Sequence, residues 1–138
     1  MKKLSFIALV ITIGLFTQST SCRDPKNAPG ECGDIACTMM FAMITVEVKD
    51  INGNPVILDE YYTTRESNGD KITTQSQMPD SGTYTVLDDN FVSTLKNRSE
   101  KFRFIGKKNG AEVINESYTI SADCCHVNKD SGKGEITL

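Results

Sequence analysis

The stretch MITVEVKD, residues 43–50, alternates: Ile44, Val46 and Val48 fall on one face of an extended chain, and Thr45, Glu47 and Lys49 on the other. Successive strand side chains point to opposite faces, so a period of two marks a half-buried β-strand. The alternation breaks at DINGNP, where Asn52-Gly53 is expected to supply the positive φ angles of a tight hairpin turn. VILDEYYTTR, the turn ESNGD and the short run KITT come next, and GTYTVLD then puts Tyr84 and Val86 on one side. FVSTL is a weaker run with a helical alternative. KFRFIG, the turn KKNG and AEVINESYTI read as another hairpin, and CCHV and GEITL as a last strand pair joined by NKDSGKG. No segment carries a helical apolar stripe over three turns. Short runs at this spacing, punctuated by Asn-Gly pairs at Asn52, Asn68 and Asn109, predict an all-β chain: an antiparallel sandwich of about seven strands.

The first residues follow a different logic. Lys2 and Lys3 precede an apolar run from Leu4 to Phe16, and the small, polar TQSTS follows it. That three-part layout is a secretory signal peptide, and its apolar run is shorter than the about 20 residues that span a bilayer comfortably. Ser19, Thr20 and Ser21 before Cys22 resemble the lipobox of bacterial lipoproteins, with Ser19 standing where that family typically has Leu. The resemblance implies acylation of Cys22 as the first residue of the mature chain, and two or more acyl chains hold a protein to a membrane where one would exchange off. The expected organisation is a signal peptide over 1–21, a lipidated tether over 22–36 (RDPKNAPGECGDIA after Cys22, Pro- and Gly-rich) and a β-sandwich over 37–138.

With Cys22 acylated, Cys32, Cys37, Cys124 and Cys125 remain. An even number of cysteines in an exported chain reads as two disulfides, with three pairings open. A bond between neighbours Cys124 and Cys125 would close a strained ring, so each is expected to reach back to Cys32 or Cys37. Which reaches which is not legible. If the two lie on a strand, their side chains take opposite faces. One could then cross the sandwich while the other ties down the tether.

The motif ITVEVKDINGNPV resembles the opening of carboxypeptidase-regulatory-like and transthyretin-like sandwich domains, and DCCHV…SG resembles the ending of small lipoproteins from Bacteroidota-type bacteria. The resemblance implies an Ig-like or transthyretin-like sandwich in an envelope lipoprotein, used as a non-enzymatic scaffold or accessory module.

Other chemistries compete with that reading. Cys32, Cys37, Cys124, Cys125 and His126 could nominally hold zinc, but an oxidising compartment favours disulfides over metal thiolates. Met39, Met40 and Met43 beside Cys37 are soft donors suited to Cu(I), so a metal-handling lipoprotein using Met39, Met43 and His126 is the alternative function; Met is also ordinary core filler, and packing is the expected role. His126, the chain's only histidine, has Asp123 and Ser131 nearby, yet no nucleophile-elbow glycine pattern and no C-x-x-C motif is present. A hydrolase or thiol oxidoreductase is therefore a lesser alternative, and His126 is expected to be a half-packed strand residue. Asp50, Asn52 and Asn54 begin like a calcium loop that then fails at Pro55 and Tyr61. The pairs Asp59-Glu60 and Asp88-Asp89 read as solvated turn residues. Without tryptophan, a sugar platform would have to come from Tyr61, Tyr62, Tyr84 or Tyr118. A net charge of −3 with no basic cluster argues against nucleic acid. The membrane, through the acyl chains, and an envelope protein are the expected partners; no cofactor is expected.

Overall fold

The computed structural model describes residues 32–74 and 79–138; Cys22 and the signal sequence lie outside them. The strands are β1 (Met43–Lys49), β2 (Glu60–Arg65), β3 (Lys71–Ile72), β4 (Thr83–Asp88), β5 (Arg98–Lys108), β6 (Ala111–Ala122), β7 (Val127–Ser131) and β8 (Glu135–Thr137), with one helical turn, α1 (Val92–Leu95), between β4 and β5. Two sheets form, one ordered β4-β1-β8 and the other β3-β2-β5-β6-β7. The all-β sandwich expected from the alternation is what the chain adopts, with eight strands, and FVSTL takes its helical alternative and buries Leu95.

The interior is the sum of the alternating faces. Ile44, Val46 and Val48 of β1 are buried while Met43, Thr45 and Glu47 are exposed. Tyr84 and Val86 from β4, Phe102 and Phe104 from β5, and Tyr118 and Ile120 from β6 complete one core. A bulge opposite Ile44 and Thr45 lets both Val86 and Leu87 face inward. Tyr84 carries a hydroxyl into this core and satisfies it on the chain that links the sheets, accepting from the Leu58 N–H at 2.7 Å and donating to the Val56 carbonyl at 2.9 Å. Its ring meets Tyr61 edge-on at 4.8 Å.

The β5–β6 hairpin turns as its sequence predicts, with Asn109 at φ 52° and Gly110 at φ 76°. Three connections differ from expectation. At Asn52-Gly53 only Gly53 has a positive φ, because the Asp50 carboxylate accepts the N–H groups of Asn52 and Asn54 and shapes the turn itself. That turn passes the chain from one sheet to the other, so β1 and β2 are not hairpin partners. The run CCHV is not strand throughout: β7 begins at Val127 and pairs with β6, placing Cys124 and Cys125 in the loop between them. Finally β8 does not pair with β7; it crosses to the other sheet and lies parallel to β1, Val48 opposite Ile136. Gly132 makes that crossing possible. Its φ is +121°, and a Cβ there would stand 2.2 Å from the Tyr118 ring.

Candidate functional site

The four cysteines of the described chain, Met39, Met43, Asp123 and His126 gather at one end of the sandwich, where β1 starts, β4 ends and the β6–β7 loop turns, whereas Asp50, Asp59 and Glu60 lie at the other end and Ser131 closes β7. Asp123 builds that loop. Its carboxylate accepts the N–H of Cys125 at 2.7 Å and of His126 at 2.8 Å, and these bonds hold its carboxyl below the ordinary aspartate value. The turn thereby presents Cys124 and Cys125 outward from the sheet edge. Cys124 bonds Cys32 and Cys125 bonds Cys37. The segment from Cys32 to Ala42 is thus strapped across the loop at two points. Neither bond crosses the sandwich; the expected division of labour between the two gives way to a shared one, because the adjacent cysteines occupy a turn rather than a strand.

His126 sits behind the strap, about one-quarter exposed. Its Nδ1 lies 2.8 Å from Oδ2 of Asp89 and its Nε2 lies 2.8 Å from the hydroxyl of Thr38. An ionised carboxylate only accepts, so Nδ1 carries the proton, and in the neutral ring Nε2 accepts from Thr38. Asp89 is not the solvated turn residue its sequence context suggested. Its Oδ2 also accepts the Ala42 N–H at 2.7 Å and its Oδ1 the Val127 N–H at 2.9 Å. Burial pushes the Asp89 carboxyl up, but the bonds from Ala42, His126 and Val127 outweigh that and hold it below the ordinary value. One carboxylate therefore fastens the strap, the loop and the start of β7 to the end of β4.

A hydroxyl, an imidazole and a carboxylate in line have the connectivity of a nucleophile, its base and an orienting group. Acyl transfer also needs donors aimed at a developing oxyanion. The backbone N–H groups of Ala42 and Val127 both donate to the Asp89 carboxylate. The arrangement is built as a clasp. For a metal, His126 has both ring nitrogens engaged, and no group of three or more His, Cys, Asp or Glu side chains suited to an ion occurs among the described residues.

The methionines do not fill the core as expected. Met39 is fully exposed, Met40 is largely so, and Phe41 and Met43 are exposed as well. The clasp holds this segment by its backbone and by Thr38, which leaves the long apolar side chains outside. Phe41 and Met43 also wall a cleft of about 470 Å³ with Thr74, Asp88, Asn90 and Phe91. A second hollow of about 270 Å³ lies between Ile35, Asn97 and the Cys124-Cys125 turn. Thr38 carries no signal of its own in the sequence and Asp89 reads there as a solvated turn residue, since each acts through partners far along the chain. The one available signal for Thr38 was its place beside Cys37, which becomes informative once Cys37 is known to bond the neighbour of His126. No family profile, curated protein or solved structure matches the chain.

Proposed function

We propose that this chain is a lipid-anchored, non-catalytic module of the bacterial cell envelope. Acyl chains on Cys22 hold it at the outer membrane, on its periplasmic or surface face, where it serves as a binding or structural accessory to an envelope protein. The observation that carries the reading is the double strap: both disulfides fasten the segment that follows the lipobox to the sandwich. A lipid anchor pulls on a domain through its N-terminal segment. Residues 32–42, which carry no strand, would peel away under that pull; the two covalent bonds would deliver the load to the β6–β7 loop. Disulfides of this kind form in an oxidising compartment such as the periplasm. The likeness of ITVEVKDINGNPV to transthyretin-like and carboxypeptidase-regulatory-like domains supports a scaffold role. So does the commitment of Thr38, His126 and Asp89 to one another and to backbone groups.

The test is the intact mass of protein purified from membranes without reductant and with thiol alkylation, followed by peptide mapping. The expected result is a chain starting at acylated Cys22 with no alkylated cysteine and with bonds 32–124 and 37–125. A chain retaining its leader would sink the anchor, and alkylated Cys124 or Cys125 would sink the strap.

A further inference from the structure

Residues 35–43, IACTMMFAM, run along the strap into the first residue of β1 and contain no charged side chain. Five of the nine exposed large hydrophobic residues of the described chain, Ile35, Met39, Met40, Phe41 and Met43, fall within them. Met39 is more exposed than any other, and its neighbours Met40 and Phe41 are more than half exposed. Apolar side chains scattered over a surface need no explanation, but a cluster of this kind marks a contact site. The other four, Ile51, Ile57, Val113 and Leu138, lie toward the opposite end of the strands, on four separate segments, and none of them is in the strap.

The place of the cluster selects its occupant. Cys32, covalently fixed to the loop, is ten residues from Cys22 in the sequence. Fully extended, ten residues reach at most roughly 35 Å, and a flexible chain of that length averages about 18 Å end to end. An acylated Cys22 would therefore keep the strapped end of the sandwich close to the bilayer, with the cluster beginning three residues after Cys32. The chain's net charge is −3, so attraction to anionic headgroups is not the force at work. An uncharged, methionine- and phenylalanine-bearing segment suits the apolar boundary just beneath the headgroups.

We propose that the strap is a bilayer-contacting surface: Met39, Met40 and Phe41 insert into the interface of the leaflet that carries the anchor, and the sandwich stands end-on with the clasp toward the membrane. This rests on the lipid-anchor reading and adds to it an orientation. In this arrangement the Asn52-Gly53 and Asn109-Gly110 turns, at the opposite end of the strands, face away from the bilayer and are free for a partner.

The chain contains no tryptophan, so a single substitution installs a unique emitter. Lipidated full-length Phe41→Trp, Met40→Trp and Ile51→Trp are each reconstituted in phosphatidylcholine vesicles with and without brominated acyl chains. All three sites are exposed, so the fold tolerates the change. Insertion by about 5–10 Å predicts that brominated lipid removes roughly half or more of the Phe41→Trp and Met40→Trp emission and leaves Ile51→Trp unchanged. Vesicle-bound protein with no quenching at positions 40 and 41 overturns the insertion and leaves the anchor standing. Blue-shifted but unquenched emission there also overturns it, by showing that protein, a second copy or a contaminant, covers the strap. Protein that stays in the supernatant overturns the anchor and the insertion together.

Discussion

Thr63 of one sheet donates its hydroxyl to the carbonyl of Val86 in the other, 2.7 Å across an interior where neither side chain is exposed. β4 is an edge strand, so its outer carbonyls have no neighbouring strand to satisfy them. Thr74 answers the same need at Thr85, also at 2.7 Å. Replacing Thr63 with Val keeps the shape and removes the donor, leaving a buried carbonyl unpaired. We expect Thr63→Val to lose about 1–3 kcal/mol of stability, read from urea unfolding at unchanged m-value. A loss below the error of that measurement would mean that the carbonyl finds another donor.

The two strap bonds close loops of 92 and 88 residues. Loop closure of that size restricts the unfolded chain strongly, and losing one such bond typically costs about 2–5 kcal/mol. Cys37→Ala with Cys125→Ala is expected to fall in that range by urea unfolding. It also frees Thr38 from its place beside His126. Exchange protection of the Ala42 and Val127 amides should drop with it, whereas Val46 and Phe104 amides in the strands keep theirs. Equal loss across both sets would show that the strap and the sandwich unfold as one.

The clasp predicts how stability depends on acid. Asp89 and Asp123 both have folded-state values below the ordinary 3.8. A depressed carboxylate contributes stability that is present above its unfolded value and is lost as pH falls through its folded one. Urea midpoints should hold near neutrality and fall below about pH 4. Asp89→Asn, whose amide cannot accept on both sides, should be less stable at pH 7 and should show a flatter acid limb. A variant with the parent's acid limb would remove Asp89 from the clasp.

At high pH the tyrosines take over. Burial raises the Tyr118 hydroxyl, whose O–H donates to the Lys133 carbonyl at 2.7 Å, and burial raises Tyr84 likewise. A raised value means stability intact below the ordinary value of 10.0 and lost as pH climbs through the folded one. Unfolding followed by tyrosinate absorbance should therefore begin above about pH 10, with Tyr118→Phe displaced upward.

Gly132 offers a sharper substitution. Alanine there meets both a left-handed φ and the face of Tyr118. The backbone strain alone is worth about 1–3 kcal/mol, and the ring must also move. Gly132→Ala should destabilise by more than Gly53→Ala, where the space around the new Cβ is open and only the φ of +83° counts. Equal losses would show that the Tyr118 ring yields freely.

These residues also show what could be read in advance. The burial of Ile44, Val46 and Val48 follows from alternation, and the β5–β6 hairpin follows from Asn109-Gly110, because both are settled within a few residues. The partner of β1 was not legible: its turn chemistry at Asp50 reverses the chain, and only the packing of the two sheets sends Val56 and Leu58 to the other layer. Asp89 looked like a surface residue because its partners, Ala42, His126 and Val127, arrive from distant positions. The methionines looked like core filler because exposure of an apolar segment is set by what binds it down, and here two disulfides and a hydroxyl do so without burying Met39 or Met40.

The parallel pairing of β8 with β1 sets an order of events on a chain that emerges from its N-terminal side. Lys49 meets Thr137 and Glu47 meets Glu135, so one edge of β1 has no partner until residues near position 135 arrive. Both disulfides likewise wait for positions 124 and 125. A partly emerged chain thus keeps a bare β1 edge and unpaired Cys32 and Cys37 thiols until its last residues follow. Delivery of the last dozen or so residues then supplies the final sheet partner together with the Lys49–Glu135 ion pair. Closure of the fold therefore waits for the last residues of the chain, and any holding factor that shields the β1 edge would act before they arrive.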